Sequence, residues 1–178
     1  MTANPGTDYT ILHLGLGSFH RAHQAVYLHE LHKTGDRSWS IVGGNIRNDM
    51  TETMDALAAQ HGAYTLETVS PAGERIYERI KSIREVVLFE KENRRLIDVG
   101  ADAMTRIISF TVTEAGYYLD QHNKLDLSHT DLRADLEHDG MGTIYGAVTA
   151  ILRERVRRGG APVTLLSCDN LRSNGARF

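Results

Sequence analysis

Three polar clusters, each following an apolar run, hold the residue types with which this chain could do chemistry. Gly15-Leu16-Gly17-Ser18-Phe19-His20-Arg21 follows Ile11-Leu12-His13-Leu14, Thr113-Glu114 follows the run at 106–112, and Ser167-Cys168-Asp169-Asn170 follows Val163-Thr164-Leu165-Leu166. Glycines directly after a strand allow a tight turn. They also let backbone N–H groups meet a phosphate at a helix start, where unpaired donors and the macrodipole favour anions. Gly15, Gly17, Ser18 and Phe19 would offer that backbone to a dinucleotide pyrophosphate. Arg21 could add a charge to it, or stand in solvent in the first helical turn. A dinucleotide fingerprint wants a third glycine where His20 stands, so the fragment alone is a G-x-G that an ordinary strand-to-helix turn also satisfies.

Hydride transfer between a dinucleotide and a substrate also needs a group to handle the accompanying proton and donors for an oxygen on which charge develops. At the end of the second strand a carboxylate would hold the adenosine ribose hydroxyls, whereas an arginine would accept a 2′-phosphate. Gly43, Gly44 and Asn45 put no acid there and Arg47 could favour NADP, whereas Asp49 could swing back to the ribose, as the resemblance given below suggests, so NAD is the preferred reading; a helix-stabilising first-turn acid is the alternative for Asp49. Thr113 and Glu114 could line the nicotinamide ribose or serve a turn. Asn170 and Asn174 could donate to a forming alkoxide oxygen, or shape a turn. His20 and His23 have no third ligand at a recognisable spacing, so hydrogen bonding beneath the loop is preferred to zinc, and no metal is expected. Cys168 is expected to pack as a small apolar residue, because Asp169 opposes a lowered thiol pKa.

Apolar periodicity sets the elements that must position these clusters. Residues 11–14 read as a strand, and Ala22, Ala25, Val26 and His29 predict one helix running to Thr34-Gly35-Asp36. Residues 39–42 form a second strand, completing a βαβ unit. Asn48 or Thr51 would cap a helix bearing Met50, Met54, Leu57 and Ala58 on one face, ended by Gly62. From Tyr64 to Ile80 the period changes to two around Ser70-Pro71-Ala72-Gly73, which predicts an inserted hairpin. Residues 86–89 precede a charged helical stretch at Leu96 and Ile97, and residues 106–112 read as a buried strand. After a polar segment with His122-Asn123-Lys124, a helix spans about 143–158, and residues 163–166 read as another buried strand. The alternation predicts an α/β fold: a Rossmann-type doubly wound, mostly parallel sheet with an inserted antiparallel hairpin, its polar clusters at the carboxyl ends of strands.

The 178 residues, 41% hydrophobic and 24% charged, suit one globular core. A net charge of −3 with scattered basic residues does not favour a nucleic-acid partner. Arg153, Arg155, Arg157 and Arg158 are expected to face water near a helix end. Cys168 is the single cysteine, so no disulfide framework is expected and a cytoplasmic location is. Residues 1–9 carry no signal core, and no apolar run reaches membrane-spanning length, so no membrane partner is expected.

Gly15-x-Gly17-x-Phe19-His20-Arg21-Ala22-His23-Gln24, Thr113-Glu114-Ala115-Gly116-Tyr117 and Ser167-Cys168-Asp169-Asn170-Leu171-Arg172-Ser173-Asn174-Gly175 together resemble the polyol-specific long-chain dehydrogenases, the mannitol dehydrogenase family. That resemblance makes His20 part of a pattern. It implies NAD-dependent, zinc-independent interconversion of a sugar alcohol and its ketose. Gly44-Asn45-Ile46-Arg47-Asn48-Asp49-Met50 is most similar to the branch that acts on D-arabinitol, giving D-xylulose. The family commonly has glycine where Ala115 stands. Its general base is a lysine on a C-terminal helical domain, expected beyond Phe178, so residues 1–178 would be a single dinucleotide-binding domain without a base. Self-association through the face that such a domain would cover is also expected. A reading from another class remains: a non-catalytic dinucleotide-binding or interaction module, which the continuation after Phe178 would distinguish.

Overall fold

The computed structural model describes residues 9–138 and 140–178; the polar start at residues 1–8 lies outside them. Five strands form one sheet: β1 (Tyr9–Leu14), β2 (Trp39–Gly44), β5 (Ile83–Val87), β6 (Thr105–Phe110) and β7 (Thr164–Ser167). Their order is β5-β2-β1-β6-β7, and every pair is parallel. The chain winds outward from β1 to β5, then crosses back to lay β6 on the other side of β1. The crevice at the carboxyl ends of β1 and β6 is where such sheets bind ligands. The inserted hairpin is present as β3 (Tyr64–Val69) and β4 (Arg75–Ile80), antiparallel from Tyr64↔Ile80 to Val69↔Arg75 and separate from the main sheet.

A parallel sheet must be covered on both faces, and alternation along the strands supplies two apolar surfaces. Leu12, Leu14, Ile108 and Phe110 meet Leu96 and Val99 of α4 (Arg94–Ala101) and Ile144, Val148 and Ile151 of α6 (Ile144–Arg157). On the opposite face Ile11, Ile41 and Ile83 meet Ala25 and Leu28 of α2 (Gln24–Lys33) and Met54 and Leu57 of α3 (Thr51–Ala59). Each such large side chain contributes roughly 1.5–3 kcal/mol by leaving water. The doubly wound expectation therefore holds.

Several local expectations are corrected. The single first helix is two, because His23 (φ −126°, ψ −90°) separates α1 (Ser18–Ala22) from α2. The break lets α1 turn His20 under the glycine loop while α2 lies along the sheet. Neither Asn48 nor Thr51 caps α3: Met50 is the N-cap residue, and the Thr51 hydroxyl donates instead to Asn48 Oδ1 at 2.7 Å. The polar stretch after residue 124 contains a helix, α5 (Thr130–His138), hidden from periodicity because Leu132 is its one buried residue. The strand expected over 106–112 ends at Phe110.

β7 is not buried. Among the described residues it has one neighbour, β6, and Leu165 and Leu166 are 37% and 39% exposed. Arg155 is not solvent-facing either. Only 3% exposed, it donates through Nε to the Ala161 carbonyl and through Nη1 to those of Gly100 and Asp102. Carbonyls at helix ends lack intrahelical donors, and the guanidinium reaches several at once.

Candidate functional site

A cavity of about 500 Å³ opens at the carboxyl ends of β1, β2 and β6. Gly15 and Gly17 form its floor, Asn45, Arg47 and Asp49 one wall, and Thr111 and Thr113 the other. The glycine loop is held by its own hydrogen bonds. Gly15 N donates to the Gly44 carbonyl (3.0 Å), Leu16 N to Asn45 Oδ1 (2.8 Å) and Gly17 N to the Gly15 carbonyl (2.6 Å). Gly15 N and Gly17 N are thus both engaged by backbone carbonyls of the loop and of β2. Ser18 and Phe19 begin α1, where helix geometry provides no acceptor for the first amides.

The two glycines serve different ends. Gly15 has φ +103°, and a Cβ there would lie 2.6 Å from the Thr111 carbonyl oxygen, so the backbone itself demands glycine. Gly17 has an ordinary φ of −78°, and a Cβ would have the Gly15 oxygen at 3.8 Å as its nearest neighbour. What its missing side chain provides is open space over the loop. Arg21 is turned the other way: Nη1 donates to the Leu16 carbonyl at 2.9 Å, bracing the loop, and the residue is absent from the cavity wall.

Beneath the loop lies a buried polar stack that the sequence reading places only in outline. The His13 and His20 rings stack at 3.6 Å. His13 Nε2 donates to the Gly15 carbonyl at 3.1 Å, which also accepts from Thr111 Oγ1 at 2.8 Å. His13 Nδ1 is 2.8 Å from Ser109 Oγ, and His20 Nε2 donates to Gln24 Oε1 at 3.1 Å. His20 Nδ1 is buried and has no partner among the described residues. Burial holds His20 at about 4, with the Gln24 bond opposing and Arg21 assisting, and burial with the neighbouring His20 holds His13 well below the usual histidine range. Both rings are neutral near pH 7. His23 diverges, exposed and 2.8 Å from the Phe19 carbonyl, so it does not face the same point as His20.

On the β6–β7 side, Asp169 joins the two strand ends. Its Oδ1 accepts from Val112 N (2.6 Å), and its Oδ2 from Tyr117 Oη (2.6 Å) and Ser167 Oγ (2.9 Å). Burial and the Asp169 carboxylate raise the Tyr117 phenol to about 12, so it stays a donor. Thr113 lines the cavity at the start of a 3-10 turn, Glu114–Tyr117, whereas Glu114 is exposed and outside the lining. Asn170 is exposed beyond β7. Asn174 begins α7 (Asn174–Arg177), and its Nδ2 donates to the Ser167 and Asp169 carbonyls, at 3.4 and 3.0 Å. That amide holds the turn, the role weighed against substrate contact. Cys168 is half-buried, and burial followed by Asp169 pushes its thiol up, away from nucleophilic use.

On the β2 side, Asp49 lies in the wall beside Arg47, whose guanidinium reaches across to Tyr118, Asp131 and Gly142. The wall also contains Tyr118, His129 and Thr143, none of which the sequence reading singled out. Tyr118 and His129 come from the stretch ahead of α5 that showed no apolar stripe, and Thr143 is the N-cap residue of α6.

Residues 9–178 match the family model described as the mannitol dehydrogenase Rossmann domain. The chain belongs to the mannitol dehydrogenase family. Among relatives, D-arabinitol 4-dehydrogenase of Ralstonia nicotianae is 58% identical over 171 residues, covering 94% of this chain and 36% of the relative. The same-named enzyme of Klebsiella pneumoniae is 53% identical, covering 96% and 37%. The solved ternary complex of Pseudomonas fluorescens mannitol 2-dehydrogenase with NAD and D-mannitol superposes with a TM-score of 0.86 at 36% identity, over 96% of this chain and 35% of that one. The mannitol dehydrogenase family match thus takes in both ends of the crevice, and the chain spans a little over a third of these relatives' length.

Proposed function

We propose that this chain is the cofactor-binding part of an NAD-dependent polyol dehydrogenase interconverting a sugar alcohol and its ketose, with D-arabinitol and D-xylulose the preferred pair. The observation that carries the reading is the cavity at the winding reversal, onto which the glycine loop, Asp49 and Thr113 all face. Support for the substrate comes from the two relatives named D-arabinitol 4-dehydrogenase. The dinucleotide pyrophosphate would lie over Gly17 against the amides of Ser18 and Phe19. Asp49 would hold the adenosine ribose and Thr113 the nicotinamide ribose. Bound NAD supplies the hydride acceptor. Asn170, at the end of β7, would donate to the developing alkoxide oxygen.

The hydroxyl proton needs a base, and none of the four lysines lines the cavity. The resemblance to the polyol dehydrogenases implies a lysine in that role, and we propose that none of the lysines of residues 1–178 fills it. Residues 1–178 alone therefore bind NADH and turn over D-arabinitol poorly. Isothermal titration with NADH, beside assays on D-arabinitol and D-mannitol, tests both halves. Binding without appreciable turnover is the expected result. Absence of NADH binding defeats the cofactor reading, and brisk turnover defeats the assignment of the base. A cytoplasmic setting fits the lone, half-buried Cys168. Self-association of residues 1–178 would use the face around β7, where Leu165 and Leu166 are exposed, and sedimentation velocity reads it directly. Among the described residues no helix is long and apolar enough to cross a membrane.

A further inference from the structure

One side chain ties the loop after β2 to the segment that carries α5, across the mouth of the cavity. Arg47 Nε donates to the Gly142 carbonyl at 2.7 Å, and Nη2 donates to Tyr118 Oη at 2.7 Å and Asp131 Oδ2 at 2.8 Å. The acceptors are themselves held. Gly142 N and Thr143 N both donate to the Asp135 carboxylate at 2.8 Å, and Tyr118 is 9% exposed. Asp131 sits in the first turn of α5, where a carboxylate suits the helix.

The position of Arg47 gives this arrangement its meaning. It stands three residues past the end of β2, where a dinucleotide fold places either an acid for the ribose hydroxyls or an arginine for a 2′-phosphate. An unpaired guanidinium there would welcome the phosphate as a charge-assisted bidentate ligand. Here its Nη2 is directed at Asp131, and Asp49 adds a second carboxylate to the neighbourhood. A ribose hydroxyl loses nothing by this. A 2′-phosphate dianion that grips Arg47 bidentately through Nη2 must displace Asp131, and two carboxylates repel it.

We infer that Asp131 is a specificity-determining residue: by pairing with Arg47 and aiming it across the cleft, it makes the site refuse a 2′-phosphate and so favour NAD over NADP. The inference rests on the dinucleotide reading proposed above. Asp131 touches no ligand and acts through Arg47. The pair is half exposed and contributes little stability, so the argument concerns charge and aim, not folding.

Isothermal titration of NADH and NADPH into the wild-type chain, Asp131→Asn, Asp131→Ala and the double variant Asp131→Asn/Arg47→Ala tests it. The wild type should prefer NADH. Each single variant should tighten NADPH by about tenfold or more, the scale of one released charge-assisted contact, while NADH changes by less than about threefold. The double variant should lose the NADPH gain, and added salt should erode it in the single variants. Wild-type binding of NADH with an NADH-to-NADPH ratio unmoved by either single variant overturns the role of Asp131 and leaves the dinucleotide reading standing. A wild type that prefers NADPH overturns it as well. If the wild type binds neither nucleotide, the dinucleotide reading falls and takes this inference with it. Two variants of an exposed residue guard against a single misfolded protein, and circular dichroism of each establishes that.

Discussion

Gly15 and Gly17 separate two reasons for glycine that a G-x-G string merges. At Gly15 the positive φ and the Thr111 carbonyl forbid a side chain in the empty protein. Gly15→Ala should cost about 2–3 kcal/mol in urea unfolding and lower NADH affinity with it. At Gly17 nothing in the protein objects, so Gly17→Ala should leave stability within about 0.5 kcal/mol while still weakening NADH at least tenfold, read by titration. The histidines make a second prediction. Because burial keeps His20 near 4 in the folded state, against about 6.5 unfolded, folding is insensitive to this ring above pH 6.5. As the pH falls from 6.5 towards 4 the unfolded chain takes up a proton that the folded one refuses. Stability should drop by about 3 kcal/mol across that window, and His13 acts in the same direction. His20→Asn should flatten the slope, measured as the midpoint of thermal unfolding against pH.

Elements differ in how far their own residues announce them. Leu12, Leu14, Ile108 and Phe110 alternate with residues for the other face, and both β1 and β6 follow from that pattern. The 163–166 run looks the same in sequence, yet β7 is exposed, because burial depends on what covers a strand and not on its own apolarity. α5 was illegible for the converse reason: with one buried residue it is placed by tertiary bonds, chiefly Asp135 accepting from Gly142 and Thr143. The site divides along the same line. Gly15, Gly17, Asp49 and Thr113 stand at strand ends that periodicity locates, whereas Tyr118, His129 and Asp131 arrive from the segment that periodicity misses. Arg21, Arg155 and Asn174 all donate to backbone carbonyls, acceptors that no side-chain pattern reveals. Arg155 carries a prediction of its own. Arg155→Ala would strand the Gly100 and Asp102 carbonyls at the end of α4 and should cost roughly 3 kcal/mol in urea unfolding. Arg155→Lys should recover little of that, since an ammonium cannot fork to several carbonyls.

At the scale of the whole molecule, the strand order places β1 between β2 and β6, and β6 lies far along the chain: His13 and Ser109, which meet across that seam, are 96 residues apart. The β5-β2-β1 half of the sheet is built from nearer neighbours, so it can assemble first, while the seam must wait for a long loop to close. The glycine loop sits on that seam, its Gly15 carbonyl held by the Thr111 hydroxyl from the far side. Capacity to bind nucleotide should therefore be the last property to return when the denatured chain is diluted into buffer. Stopped-flow refolding in the presence of NADH should show far-UV ellipticity recovering ahead of nucleotide fluorescence, with the delay lengthened by Ser109→Ala. A site assembled from opposite ends of a sequence is thereby a reporter of completed folding, lit only when the slowest contact has formed.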